Sequence, residues 1–460
     1  MEVLDKRGYK RYWDEERETM NPVERERIIL ERIRLQLDYV YHKLPFYRKL
    51  YDEAKLRIEE IRSLEDFTTK VPIVTKKMLV EDQVANPPFG SYAGTFDAEE
   101  IARIQGSSGT KGMPTLYRVS RQDWERAADV AAMAQWCGGI RPDDILQISF
   151  PFSLFFGGWG VLQGAERIGA ATFPLGAIDS ARQLDLMARV APTIFAATPS
   201  YALHLSGVAR NQGVSLRENS VRCLLVGGEP GGSLQSVRDL LHREWGVTCV
   251  IDGGSTSEMY PFMTNTSCEA EVGVHLFTDE VYTEVVSVED PNVPVPIESR
   301  GALVYTHLWR RSQPMIRFWS GDESYMVDER CSCGRTYPRL PEGVLGRIDD
   351  MLVIRGANIY PSMIEGVVRE FAELGAEFRL VVEKQGALDE LTVEIEWEPK
   401  TFSQWGSGHE MEVESLRRRI GERLRMASGL RIEVELLPPG TLPATVFKAN
   451  RVLDRRRMMQ

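Results

Sequence analysis

Cysteine and histidine are scarce in this chain, six of each in 460 residues. Six thiols over that length do not make a disulfide framework, and in a reducing compartment a paired CxC points to a metal before a disulfide. An excess of positive charge is also missing: 56 Lys and Arg face 67 Asp and Glu, for a net charge of −11. Broad binding to nucleic acid or an anionic membrane needs clustered cations, so neither partner is expected. The two basic runs, Arg417 to Arg419 and Arg455 to Arg457, read as solvated helix faces. Long hydrophobic runs are absent as well. The longest, around "SFPFSLFFGGWGVLQGA", is short for a membrane span and carries four glycines. The first twenty residues are too dense in charge for a secretory signal, and a cytoplasmic protein is expected.

What is present describes a globular protein, 43% hydrophobic and 27% charged. Its length calls for two or three domains. Residues 1–80 carry heptad-like apolar spacing in "ERIILERIRLQLDYVYHKL", which reads as helix packing. From about 100 to 260, apolar runs such as "DILQISF", "TIFAATPS" and "CLLVGGEP" alternate with amphipathic segments such as "SLQSVRDLLHREW". That rhythm predicts an α/β sheet. Short strands dominate residues 280–330, and a strand, strand, helix, strand order after "GVLGRIDD" predicts a small α+β domain. The hinge is placed near Gly346–Asp350.

Four constellations could carry chemistry. "GSSGTKGMPT" is a loop whose backbone N–H groups could converge on phosphate oxygens, with a lysine adding charge. It is not the GxxxxGK[ST] loop, no helix start follows directly, and a plain flexible turn is the alternative. "CEAEVGVH" and "CSCG" supply Cys268, His275, Cys331 and Cys333, four soft donors suited to a closed structural zinc site. The long gap between the halves requires two β-segments to be neighbours; otherwise these are buried thiols that never meet. "GRIDD" sets an arginine fork and two carboxylates in a glycine-bounded turn, able to hold hydroxyls or phosphate or simply to be a surface turn. Lys448 in "PATVFKANRV" is a lone loop lysine, of interest only if the fold returns it to a phosphate site.

In this order and spacing, the pieces resemble the phenylacetate–CoA ligase family of adenylate-forming enzymes. "SSGTKGMPT", "GAERIGA", "GRIDDMLVIRGANIYPSMIE" and the terminal lysine carry the resemblance most specifically, and it runs from "LPFYRKLYDEA" to "KANRVLDRR". It implies a large N-terminal ATP- and acyl-binding domain over residues 1–345, with a helical start, an α/β core and a zinc-bearing β subdomain, and a mobile lid over 346–460. The implied reaction has two halves: a carboxylate attacks the α-phosphate of Mg-ATP, and CoA then displaces AMP from the acyl-adenylate. Ser107, Ser108, Gly109, Thr110 and Lys111 would hold phosphates, and Gly228, Glu229 and Pro230 would lie along the adenine. Glu258 would coordinate Mg²⁺. Asp322 and Arg347 would hold the ribose, Asp349 would be the hinge, and Lys448 would serve adenylation alone. The resemblance also favours a structural Zn²⁺ and implies a homodimer.

The chain departs from the family pattern in the nucleotide and acyl regions. Lys111 stands two residues before the usual lysine, whose place Met113 takes. Gly254 replaces the tyrosine that stacks on adenine, and Trp319 replaces an arginine in "RFWSGD". Phe152, Phe156, Trp159 and Gly228 fall in the acyl-pocket region, where Phe156 and Trp159 are bulkier than the aromatic-acid pattern and would shrink a cavity. A compact acid is expected, short and branched or 2-hydroxylated, such as 2-hydroxyisobutyrate, with an aryl or phenylacetate-type acid as the alternative. Ser153, Ser255 and Tyr260 are candidate readers of a substrate hydroxyl. A carrier-protein pantetheine in place of free CoA is a further alternative.

Overall fold

The computed structural model describes residues 5–94, 97–107, 114–354, 357–385, 388–405, 409–443 and 451–455. Near its start lies the helix Pro22–Lys43, capped by the Asn21 side chain, which accepts the Val23 N–H, with Pro22 in the first turn. Ile29, Ile33, Leu37 and Val40 share its buried face and pack with Val281, Leu303 and Tyr305 in the largest core. Gln36, on the same face, donates to the carbonyls of His307 and Arg310 at 3.0 and 2.9 Å.

Strands β1 (Ile101–Gly106) and β2 (Leu116–Ser120) form an antiparallel hairpin. The α/β rhythm resolves into β3 (Ile145–Ile148), β4 (Ala171–Phe173), β5 (Ile194–Ala197), β6 (Cys223–Val226) and β7 (Cys249–Gly254). They lie parallel in the spatial order β4-β3-β5-β6-β7. β5 and β6 are buried at every residue, as expected of strands covered on both faces. The chain passes from β3 outward to β4, then returns across β3 to β5 and continues the other way. The reversal therefore falls between β3 and β5, where open α/β sheets place ligands at the strands' C-terminal ends.

The sheet continues antiparallel through β8 (Asn265–Ser267) and β9 (Val274–Leu276). A second sheet is built from β10 (Val281–Val286), β11 (Gly301–His307) and β12 (Phe318–Ser324). β13 (Arg339–Leu340) returns to pair with β9, and β14 (Gly346–Arg347) pairs with β12. The C-terminal part has a core of its own, beginning at Leu352. It comprises the hairpin β15 (Leu352–Ile354) and β16 (Ala357–Ile359), then β17 (Leu374–Gln385), β18 (Leu388–Trp397), β19 (Glu433–Leu437) and β20 (Val452–Asp454). The last four form one sheet, ordered β19-β18-β17-β20. Leu416, Ile420 and Leu424 of the helix Glu410–Ser428 cover it together with Ile364 and Val367. Arg417 and Arg419 of the expected solvated face pair with Glu414 and Glu373. This unit touches the rest of the chain at several places, among them the helices Pro199–Asn211 and Gln235–Trp245. No helix among the described residues is long and apolar enough to cross a membrane.

Candidate active site

The Gly- and Ser-rich loop joins β1 to β2. Ser108, Gly109, Thr110, Lys111 and Met113 lie outside the described residues, and the root of the loop is described. Ser107 is buried, and its Oγ accepts the Thr115 N–H at 3.1 Å and lies 3.0 Å from the Thr115 hydroxyl. Thr115 Oγ1 is 2.6 Å from the Tyr117 hydroxyl, which donates to Glu258 Oε1 at 3.4 Å. A chain of hydroxyls thus ties the loop's base to Glu258. The same Oε1 receives Lys76 Nζ at 2.8 Å, while the buried Arg310 donates to the Glu258 carbonyl at 3.3 Å. Lys76, Tyr117 and Arg310 belong to no motif, so nothing in the linear chain marks them.

Asp322 on β12 sits directly opposite Arg347 on β14. Arg347 Nη1 is 3.1 Å from Asp322 Oδ1 and donates to the Ser320 carbonyl at 2.7 Å. Burial pushes the Asp322 carboxyl above its usual range; Arg347 opposes this, and the charge of Glu258 adds to it. Glu258 and Asp322 therefore share one electrostatic neighbourhood. Next to Asp322, Gly321 adopts φ +77°, and a Cβ there would lie 2.9 Å from Arg347 Nη2. Asp349 lies 3.5 Å from Arg347 Nη2, so the fork joins β12 to the segment that leads into the C-terminal unit.

Gly228, Glu229 and Pro230 follow β6. Gly228 has φ +84°, and a Cβ there would meet Thr198 Cγ2 at 3.7 Å and Phe150 Cε1 at 4.0 Å. Glu229 Oε1 accepts the Ser200 N–H at 2.7 Å, at the start of the helix Pro199–Asn211. Burial moves its carboxyl up to about 7; Glu365 adds to the rise and Arg451 opposes it. At Gly254, the position of the missing tyrosine, the nearest atom to an added Cβ is Asn265 Oδ1 at 3.9 Å.

Three of the four acyl-pocket candidates, Phe152, Phe156 and Trp159, are packed aromatic side chains. Phe156 meets Tyr260 edge-on with ring centroids 4.2 Å apart, and Phe152 meets Trp159 at 5.0 Å. Arg103 lies 4.4 Å from the centroids of both Trp124 and Trp159. Of the polar candidates, Ser255 donates to the Phe262 carbonyl at 2.6 Å, and the carbonyl of exposed Ser153 accepts from Trp159 Nε1 at 3.0 Å. The Tyr260 hydroxyl is buried with no partner among the described residues.

Cys268, His275, Cys331 and Cys333 come together with all donor atoms within 4.8 Å of one another. The required neighbours are β9, which carries His275, and β13, whose Arg339 pairs with His275. Cys268 and Cys331 sulfurs are 3.6 Å apart, and Cys333 Sγ is 3.4 Å from His275 Nε2. Two sulfurs bound tetrahedrally at about 2.3 Å from zinc stand about 3.8 Å apart, so the donor set fits that ion. Cys137 packs against the cluster. Lys448 lies outside the described residues.

Residues 356–456 match the model of the AMP-binding enzyme C-terminal domain. Across 436 residues the chain is 35% identical to the phenylacetate–coenzyme A ligase of Thermus thermophilus, covering 93% of this chain and 96% of the relative. The enzyme of the same name from Escherichia coli is 29% identical, covering 96% and 97% of the two chains. A crystal structure of 2-hydroxyisobutyryl-CoA ligase in the postadenylation state with 2-HIB-AMP is 41% identical with a TM-score of 0.91, covering 98% of this chain and 93% of that one. A structure of 2-hydroxyisobutyryl-CoA ligase in the thioesterification state, with 2-HIB-AMP and CoA, is 40% identical and covers 99% and 94%, with a TM-score of 0.73.

Proposed function

Because this chain belongs to the phenylacetate–coenzyme A ligase family, we propose that it activates a compact carboxylic acid, short and branched or 2-hydroxylated, as its CoA thioester. The chemistry is that of an AMP-forming acyl-CoA ligase, through an acyl-adenylate and then thioesterification. The convergence of Glu258, Asp322 and Arg347 beside the root of the Gly- and Ser-rich loop carries the reading.

Adenylation concentrates negative charge on phosphorus, and fixed donors aimed at that charge supply the stabilisation. In our reading Ser107 to Lys111 cradle the phosphates, and Gly228 to Pro230 border the adenine. Asp322 accepts from the ribose hydroxyls while Arg347 holds it in place. Glu258 would hold Mg²⁺, which when bound neutralises phosphate charge. Lys448 would reach the carboxylate and α-phosphate in the first half-reaction. Residues 346–460 would form a lid turning about Asp349, as domain closures do in other enzymes. Cys268, His275, Cys331 and Cys333 would hold a structural Zn²⁺, since four protein donors leave no position open for water. The enzyme would act in the cytoplasm as a homodimer on ATP, CoA and a small acid, with no nucleic-acid or membrane partner.

The bulk of Phe156, Tyr260 and Trp159 around the acyl region supports the small acid. A panel of acids assayed for AMP release with CoA tests it: 2-hydroxyisobutyrate and other short branched acids are expected to surpass phenylacetate in kcat/KM. Faster turnover of phenylacetate would restore the aryl reading. Turnover only with a carrier protein would restore the carrier reading.

A further inference from the structure

A cavity of about 380 Å³ opens over the C-terminal ends of β3 and β5, lined in part by Phe150, Thr198, Tyr201, His204, Ser180 and Asp179. It lies at the strand reversal, the place where open α/β sheets hold ligands, and its volume is within the range of small-molecule pockets. Two of its lining residues, Thr198 and Phe150, are also the nearest to a Cβ on Gly228, which belongs to the proposed nucleotide and acyl regions. None of the residues assigned to the nucleotide, the acid or the metal lines this cavity.

His204 stands out among the six histidines. His275 belongs to the metal cluster. His242 bonds the Val247 carbonyl and Glu271. His307 is fixed between the Met259 carbonyl and the Met315 N–H. His42 lies on an exposed helix face beside Asp38, and His409 precedes the helix Glu410–Ser428. His204 alone lines the cavity, its ring stacked on Tyr201 at 5.9 Å, and its nitrogens make no hydrogen bond among the described residues. The Tyr201 hydroxyl is held by Ser180 at 3.3 Å, which steadies the stack.

The second half-reaction releases the thiol proton, and a base that accepts it speeds the step. A thiol of ordinary acidity, with a pKa of about 8.5, is mostly protonated at pH 7, and the thiolate is the nucleophile. We propose that the cavity admits the thiol arm of CoA and that His204 takes its proton. The S–H proton passes to an imidazole nitrogen and the sulfur bonds to the acyl carbonyl carbon. The bond from that carbon to the phosphate oxygen breaks, and AMP leaves with the electron pair. This rests on the ligase reading above. Charged groups facing His204 are Glu377 of β17, itself paired with Arg451, and Asp179 at the cavity wall. Burial outweighs Glu377 and keeps the imidazole below its usual range, hence neutral and able to accept. The helix that carries His204 also touches β17 and pairs Arg210 with Glu398 at 3.4 Å, so the C-terminal unit lies against it in this arrangement.

The two half-reactions are measured separately in the full-length protein, on His204→Gln and His204→Asn. ATP–pyrophosphate exchange with the preferred acid is expected to stay within about twofold, which also certifies the fold. Thioester formation from supplied acyl-adenylate and CoA is expected to fall about a hundredfold at pH 7 and to recover about tenfold per pH unit towards the thiol's own pKa. The wild type is expected to be flat over that range. A raised KM for the acid in the exchange assay would assign the cavity to the acid and overturn the proposal. Equal loss in both halves, or an unaltered thioesterification profile, would overturn it as well. Absence of exchange in the wild type with every acid would instead overturn the ligase reading.

Discussion

Glu258 takes its contacts from remote parts of the chain: Lys76 and Tyr117 on its carboxylate, Arg310 on its carbonyl. Lys76 is half-exposed, and an ion pair of that kind is worth up to about 1 kcal/mol. In the proposed reaction Lys76 competes with Mg²⁺ for the same oxygen. Lys76→Ala should therefore lower the Mg²⁺ concentration for half-maximal ATP–pyrophosphate exchange about two- to fivefold, read in a metal titration. A higher requirement would mean that Lys76 contacts the phosphates instead.

At the scale of elements, the helix Pro199–Asn211 links several features of the site. Glu229 accepts from its first turn, Thr198 and Tyr201 line the cavity, and Arg210 reaches the C-terminal unit. Glu229 has a folded-state pKa of about 7, raised from 4.5. The folded protein thus binds more protons than the unfolded chain between those values, and stability falls as pH rises through that window. Solvent reaching this partly buried group reduces the effect to about 1–2 kcal/mol. Glu229→Gln should remove that slope, so the variant gains on the wild type between pH 5 and pH 8 in thermal unfolding. The cysteine cluster is likewise assembled by elements, since β9 and β13 bring its two halves together. Cys331→Ser should cost bound zinc, measured by metal analysis, and lower the melting temperature by several degrees. Adenylation by the surviving folded fraction should stay within about twofold. Zinc-free wild-type protein would remove the metal assignment.

At the scale of the whole molecule, segments far apart in the sequence meet where the sheet reverses: Phe150 follows β3, Thr198 follows β5, and both line the cavity. The alternation of "DILQISF", "TIFAATPS" and "CLLVGGEP" announced the parallel strands because fully buried strands need continuous apolar runs. "GRIDD", "WSGD" and the cysteine pairs were legible because each places several polar groups within a few residues. Lys76, Tyr117 and His204 were not legible, because each is a single residue whose partner lies far away in sequence or is a cavity. A cavity belongs to no residue. The sequence by itself determined the strand and helix alphabet, the family, and the residue types available for phosphate, ribose and metal. The tertiary structure alone decided that Arg347 lies opposite Asp322, that Lys76 occupies Glu258, and that the strand reversal opens a cavity beside Gly228. Local pattern follows from backbone periodicity and burial, whereas these juxtapositions depend on how distant segments pack.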